Sequence, residues 1–305
     1  MILIVDDNTD ETRLDVYLAE LYDGISRSKI QAAIKSGKVL INDSVKKPSY
    51  LLREGDKIEF ENLVDESVLQ VEPEDIPLEI IWEDENMAVV NKPSGMLTHP
   101  TTLENSGTLV NALLFKYGQN LSDVNGEFRR GIVHRLDRNT SGLLMIAKNN
   151  KTHEYLANLI KNRELTKKYH AVLVGNYPRD NDVISDPIGR NNVNPKKMAV
   201  RPDGRPSVTK LKVLERFGNE ATYVELNLVT GRTHQIRVHT SFKKHPVYND
   251  TLYGAGQGKV KTEEQVLQSF YLKFAKPFSA EIIELEIEPD EKLSKVLKYF
   301  RNRSV

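Results

Sequence analysis

The sequence predicts an α+β protein: a small α/β module at the N-terminus, then a larger domain built on a mixed, largely antiparallel sheet. Three observations carry that expectation. Runs at 169–175, 210–214, 222–229 and 281–287 have the apolar character and two-residue period of strands. Few helical patterns interrupt the later chain, chiefly 153–160 and 292–301, which is too few for the regular strand–helix alternation of a doubly wound parallel sheet. Between the two parts lies Glu72-Pro73-Glu74-Asp75-Ile76-Pro77, whose prolines and carboxylates suit a connecting segment. The expected organisation is a module at 1–62, an acidic linker at 63–75 and a main domain at 76–305.

In the module, Thr12 with Asp15 three residues on signals the start of a helix carrying Leu14, Tyr17, Leu18 and Leu21. Ser26 is placed to cap a second helix. Its apolar face is Ile30, Ala33 and Ile34, with Arg27, Gln31 and Lys35 on an adjoining stripe, and Gly37 ends it. Short strands are expected at 39–41 and 57–60, with turns at Asn42-Asp43 and Glu54-Gly55-Asp56. In the main domain, Ile80-Ile81-Trp82 and Met87-Ala88-Val89-Val90 form the arms of a hairpin turning at Asp84-Glu85-Asn86. The apolar runs 131–133 and 143–147 are expected to be two short strands that hold the polar loop between them.

The net charge of the 305 residues is zero, but the charges are segregated. From Arg27 to Lys57 there are eight Lys/Arg against three Asp/Glu, whereas Ile58 to Asn91 holds eleven Asp/Glu and no Lys/Arg. A basic patch is therefore compatible with the neutral sum. The chain has no cysteine, which excludes disulfides and thiolate chemistry. No apolar stretch approaches the roughly 20 residues needed to span a bilayer. Met1-Ile2-Leu3-Ile4-Val5 runs into Asp6-Asp7 with no basic leader, so a cytoplasmic protein is expected. Neither G-x-x-x-x-G-K-[ST] nor H-E-x-x-H occurs, and no nucleotide, metal or other cofactor is expected.

The loop at 134–142 reads H-R-L-D-R-N-T-S-G and places one carboxylate, Asp137, among His134, Arg135 and Arg138. Those cations would hold the carboxylate ionised and suit a polyanionic substrate. Taken alone, Asp137 also fits an Asx-turn or a helix cap, Arg237 a surface cation, and Tyr169 ordinary core packing.

The loop resembles the signature of the RluA/RluD-type RNA pseudouridine synthases. So do Asn91-Lys92-Pro93-Ser94-Gly95-Met96 with His99-Pro100, Lys168-Tyr169-His170-Ala171, and Gly231-Arg232-Thr233-His234-Gln235-Ile236-Arg237-Val238-His239. In the same way Ser26-Arg27-Ser28-Lys29-Ile30, Gly37-Lys38-Val39-Leu40-Ile41-Asn42 and Glu54-Gly55-Asp56-Lys57-Ile58 resemble the S4 RNA-binding module over roughly 12–60. The resemblance implies a pseudouridine synthase fold with a central cleft, and a cofactor-free isomerisation. The bond from ribose C1′ to uracil N1 breaks, the ring turns, and C1′ joins uracil C5. Asp137 is the implied catalytic carboxylate, whether the route is attack at C1′, attack at C6 or elimination to a glycal. Arg237 is the implied cation beside it. Tyr169 is the implied ring beneath the base, its hydroxyl a general base in the glycal route. If the target nucleotide is flipped from its stack, Arg135 is the candidate plug, with a plain phosphate contact the alternative.

Further RNA contacts are expected from His134 and Arg232, and in the module from Arg27, Lys29, Lys35 and Lys38. Lys92 and His239 are weaker candidates that either orient phosphates or support the loop. Gly231 and Thr233 suggest a strand break followed by a capped helix that turns His234, Arg237 and Val238 to one face. Three positions depart from the family pattern: Asn249 before Asp250, where Asn tolerates a left-handed backbone, Gln268, and Asn191. The expected partner is structured RNA, most simply large-subunit ribosomal RNA, with transfer RNA open. The expected acting species is a monomer. The rivals are an RNA-binding ribosome-assembly factor with incidental catalysis and a nucleosidase releasing uracil. The latter usually needs two cooperating carboxylates, for which only Asp250 hints at a partner.

Overall fold

A computed structural model describes residues 2–5, 12–21, 27–60, 71–101, 104–194, 196–254, 256 and 258–303, with the side chains at 20, 21 and 27–29 outside the description. The chain forms two compact units. One comprises Met1–Val90, Met96–Arg135 and Met145–Lys161; the other comprises Asn91–Gly95, Leu136–Leu144 and Asn162–Val305.

The first unit begins with β1 (Ile2–Ile4), α1 (Leu14–Leu21), α2 (Arg27–Lys35), β2 (Val39–Ile41) and β3 (Lys57–Phe60). The three strands form an antiparallel sheet in the order β1-β3-β2. Leu3, Leu14, Leu18, Ile30, Ile34, Ile41, Ile58 and Phe60 are buried together, so the helical and strand periodicities of the sequence converge on one core. Asp15 is fully buried. It takes both prongs of Arg13 and a hydrogen bond from Gln31 Nε2 at 2.6 Å, which removes Gln31 from the exposed basic stripe. The proposed Ser26 cap lies outside the described residues.

Most of the expected linker also lies outside the described residues, but its end is held. Asn111 Nδ2 donates to the Glu72 carbonyl, Glu74 N–H donates to the Asn111 carbonyl, and Gly107 N–H donates to the Glu74 carboxylate. The rest of the unit contains β4 (Glu79–Glu83), the start of β5 (Met87–Lys92), α3 (Leu109–Tyr117) and α4 (Asn150–Lys161). The expected hairpin is present, and the Asp84 carboxylate accepts from the amides of Asn86 and Met87 to close its turn. Thr108 caps α3 in a reciprocal pair with Asn111.

The second unit is dominated by long strands. β6 (Ser141–Ala147) starts in it, followed by β7 (Thr166–Val174), β8 (Asn181–Ile184), β9 (Ile188–Arg190), β10 (Met198–Val200), β11 (Thr209–Phe217), β12 (Ala221–Leu228), α5 (Gln235–Phe242), β13 (Leu267–Ala275), β14 (Ile282–Glu286) and α6 (Glu291–Arg301). The sheet order is β4-β5-β6-β13-β7-β12-β11-β8, with β14 on β13 and β9-β10 a separate ribbon. From β8 through β11, β12 and β7 to β13 and β14 each neighbouring pair is antiparallel, whereas β6 pairs with β13 in parallel. The amphipathic α6 buries Leu293, Val296, Leu297 and Phe300 against Phe217, Tyr248 and Val266.

Two strand expectations change. Residues 131–133 form no strand, only the bridge of Ile132 to Ile146, and Tyr169 lies within β7 instead of opening it. The β6–β13 pairing begins at Ser141 and Gly142, directly after the Asp137 loop. Gly142 has φ 116°, and a Cβ there would lie 2.0 Å from the Ser269 carbonyl oxygen. Only glycine lets β13 approach the loop this closely. Gly142→Ala should destabilise the protein by about 3 kcal/mol or more. Urea unfolding would measure this, and a near-native midpoint would show that the strands separate at little cost.

Candidate active site

Four segments of the second unit bring two carboxylates, one guanidinium and two aromatic rings together. Asp137 is held in its loop by the Thr140 N–H, which donates to the Asp137 carbonyl at 3.0 Å. Two lysines fix the carbonyls that follow. Lys92 Nζ, fully buried, donates to the Arg138 and Pro93 carbonyls at 2.9 Å each, and Lys292 Nζ donates to the Asn139 carbonyl at 2.8 Å. The Gly95 amide donates to Arg138 and the Ser94 hydroxyl to Asn139, so residues 92–95 form a backing strip for the loop. Ser141 Oγ is hydrogen bonded to Asp290, the residue that caps α6 through the Leu293 amide.

Arg237 rises from the first turn of α5 and is only 6% exposed. Its Nη1 lies 3.1 Å from Asp137 Oδ2, while Nε and Nη2 grip Asp250 at 2.7 and 3.0 Å. Burial alone would lower the pKa of the guanidinium, but hydrogen bonds and attraction from Asp250 and Asp137 outweigh it and raise it. Asp250 is fully buried and also accepts from the Tyr253 amide at 3.1 Å. The planar fork of Arg matches this arrangement, since two prongs bind one carboxylate and a third donor reaches the other.

The backbone at both ends of this array is left-handed. His234 has φ 55° and Asn249 φ 61°. Asn249 stabilises its turn through bonds to Val260, Thr262 and Gly258, as its tolerance of this conformation suggests. His234, not Thr233, occupies the N-cap of α5, and its side chain makes no cap bond. His234 Nδ1 is 2.8 Å from Tyr253 Oη, and Nε2 is 3.9 Å from Asp137 Oδ1. The Tyr253 ring also faces the Arg237 guanidinium at 5.1 Å.

Tyr169 is buried in β7, opposite Leu226 and Ser269. Burial raises the pKa of its phenol, against a hydrogen bond with Ser269 that lowers it, and the nearby Asp137 charge raises it further. Asp137, Tyr169 and Arg237 are thus brought together. The sequence points to Asp250 only as a second carboxylate for a nucleosidase, and not to Tyr253. A buried Arg with five donors needs more than one acceptor, and that is the signal that points to Asp250.

The expected RNA contacts divide. Arg135 is exposed, Lys35 and Lys38 are exposed on the module, and the side chains of Arg27 and Lys29 lie outside the described residues. Arg232 is half-buried, with Nε 3.4 Å from the Pro206 carbonyl. His134 does not present Nε2 to solvent: it accepts from the Met145 amide at 3.0 Å and so staples the loop to β6. His239 is fully buried between Thr209 and the Asp186 carbonyl, which excludes a phosphate contact. Lys92 takes the loop-supporting role. Gln268 binds Glu288 and Asp290, and so secures the approach to α6.

The sequence family described as RNA pseudouridylate synthase matches residues 86–242, and the S4 domain family matches residues 12–58. The chain belongs to the RNA pseudouridylate synthase family. It is 40% identical over 304 residues to an RNA pseudouridine synthase of Aquifex aeolicus (strain VF5), covering 97% of this chain and 96% of the relative. It is 37% identical over 295 residues to the ribosomal large subunit pseudouridine synthase D of Vibrio parahaemolyticus, covering 92% and 88%. Among solved structures, human RNA pseudouridylate synthase domain containing 1 superposes with a TM-score of 0.58 at 28% identity, covering 74% of this chain and 95% of that one. The enzyme is therefore an isomerase acting on RNA, with an S4 module and a mixed α+β synthase fold. No helix among the described residues is long and apolar enough to cross a membrane.

Burial lowers the Lys92 ammonium from 10.5 to about 7, with Asp137 opposing and Lys292 and Arg138 reinforcing the fall. Between those values the unfolded chain binds the extra proton, so the stability contributed by Lys92 rises with pH. The neutral amine keeps two donors for its two carbonyls. The stability gap between wild type and Lys92→Met should therefore widen from about pH 7 to about pH 9 in urea titrations. A gap that narrows over that window would mean that the ammonium, not the amine, is the favoured form.

Proposed function

We propose that this synthase isomerises uridines in large-subunit ribosomal RNA, with Asp137 as the nucleophile. The observation that carries the site assignment is the array Asp250–Arg237–Asp137, in which Arg237 is clamped by Asp250 and reaches Asp137 Oδ2 at 3.1 Å. A fixed cation beside the carboxylate favours its charged form in a partly desolvated setting. The carboxylate then meets the positive charge that develops at ribose C1′ as the bond to uracil N1 breaks. The ribosomal target is supported by the names of relatives such as the Vibrio enzyme.

Tyr169 supplies the face on which the detached uracil rests, a contact worth roughly 1–3 kcal/mol that leaves the ring free to turn. Burial raises the pKa of its phenol, so the ring is uncharged at neutral pH. Arg135, exposed two positions before Asp137, fills the gap left by the flipped nucleotide. Arg232 and the module residues Arg27, Lys29, Lys35 and Lys38 hold phosphates, contacts that position RNA without reading sequence. Asp137, Tyr169, Arg237 and Asp250 all come from one chain, so a monomer suffices.

Pseudouridine mapping across total RNA from cells with and without the protein tests both parts of the reading. Specific large-subunit sites should vanish on deletion, return with wild type and stay absent with Asp137→Asn. With RNA tritiated at uracil C5, that variant should release tritium slower than wild type by about 10⁴-fold or more. Loss confined to transfer RNA would overturn the ribosomal target, restoration by Asp137→Asn would overturn the nucleophile, and free uracil in the supernatant would indicate a nucleosidase.

A further inference from the structure

Tyr253 touches Asp250, Arg237 and His234. Its amide donates to Asp250 Oδ1 at 3.1 Å, its ring faces Arg237 at 5.1 Å, and its hydroxyl oxygen lies 2.8 Å from His234 Nδ1. The same oxygen accepts a hydrogen bond from the Met198 amide in the β9–β10 ribbon at 2.8 Å. A backbone amide can only donate. The phenol oxygen is thus an acceptor toward Met198, and its single proton is left to be donated. His234 Nδ1 is the acceptor in line for it.

We infer that Tyr253 is a positioning residue that fixes the tautomer of His234, so that Nε2 carries the proton and is turned toward Asp137. The inference deepens the proposed function and rests on its assignment of Asp137. Which ring nitrogen of a histidine is protonated is set by the bond made at the other nitrogen. With the Tyr253 hydroxyl donating to Nδ1, the single proton of the neutral imidazole sits on Nε2, 3.9 Å from Asp137 Oδ1, while Arg237 binds Oδ2. The opposite tautomer would aim a lone pair at the carboxylate. The donor character of Tyr253 persists across the neutral range, because burial pushes its pKa up to about 12 against the Met198 amide and Arg237.

The backbone supports the same conclusion. His234 adopts φ 55° at the start of α5 yet makes no side-chain cap bond. A left-handed residue that is not glycine costs about 1–2 kcal/mol. The orientation it secures is toward Tyr253, whose ring meets the imidazole edge-on at 5.6 Å and 82°.

Tyr253→Phe keeps the ring over Arg237 and removes only the hydroxyl. In the full-length protein, long-range ¹H–¹⁵N spectra of labelled histidine read the tautomer, with His234→Gln assigning the signal. Wild type should show His234 protonated on Nε2. Tyr253→Phe should move the signal toward the other tautomer and lower kcat for tritium release by at least about tenfold, with KM for RNA unchanged. An Nδ1-protonated His234 in wild type would overturn the inference even if the variant failed to fold. So would a folded Tyr253→Phe with unchanged tautomer and kcat. Full activity in Asp137→Asn would instead strike the proposed function, leaving the spectroscopic result to stand by itself.

Discussion

The constraint on which the site depends is the burial of Arg237 between two carboxylates. A guanidinium taken out of water must have its donors and its charge satisfied, and removing one partner of such a group typically costs about 3–5 kcal/mol. Asp250 does most of this by accepting two prongs, and Asp137 receives the third. Asp250 is thus the anchor and Asp137 the more open end, where the proposed chemistry takes place. The difference is visible in exposure: the Asp250 side chain is fully buried, whereas that of Asp137 is 18% exposed.

Much of the surrounding backbone serves to hold this arrangement. The left-handed turn at Asn249 places Asp250, and that at His234 begins the helix whose first turn carries Arg237. On the other side, the amino groups of two lysines, an amide and a hydroxyl converge on the carbonyls of Arg138 and Asn139. Lys292 and Asp290 connect that loop to α6, so the C-terminal helix is tied to the Asp137 loop by polar contacts, while its apolar face packs on Phe217, Tyr248 and Val266. A loop with its following carbonyls fixed in this way holds Asp137 in place, and for the proposed role of Asp137 that meets the requirement for electrostatic preorganisation.

The elements legible in the sequence were those with local causes. The β4–β5 turn follows from Asp84 accepting two nearby amides, and α4 and α6 from their apolar stripes. What escaped depends on distant partners. Residues 131–133 have the apolar character of a strand but meet a neighbour only at Ile132, and Gln31 belongs to a basic stripe by spacing yet is drawn inward by Asp15. Thr233 suits an N-cap by residue type, but the chain takes His234 into the left-handed region instead. The site shows the same division. Asp137, Tyr169 and Arg237 were reached through motif resemblance, whereas the clamp by Asp250 and the contacts of Tyr253 with Met198 and His234 exist only once separate segments fold together.

The central claim is that Asp250 and Arg237 act on Asp137 as one unit. A double-mutant cycle on the single-turnover rate tests it most directly, using Asp250→Asn, Arg237→Lys and the combined variant, each checked for folding. The account predicts that each change slows isomerisation while RNA affinity holds, and that the double variant is little slower than the worse single one, as for groups that work together. Losses that simply add would contradict it, because Asp250 and Arg237 would then contribute independently.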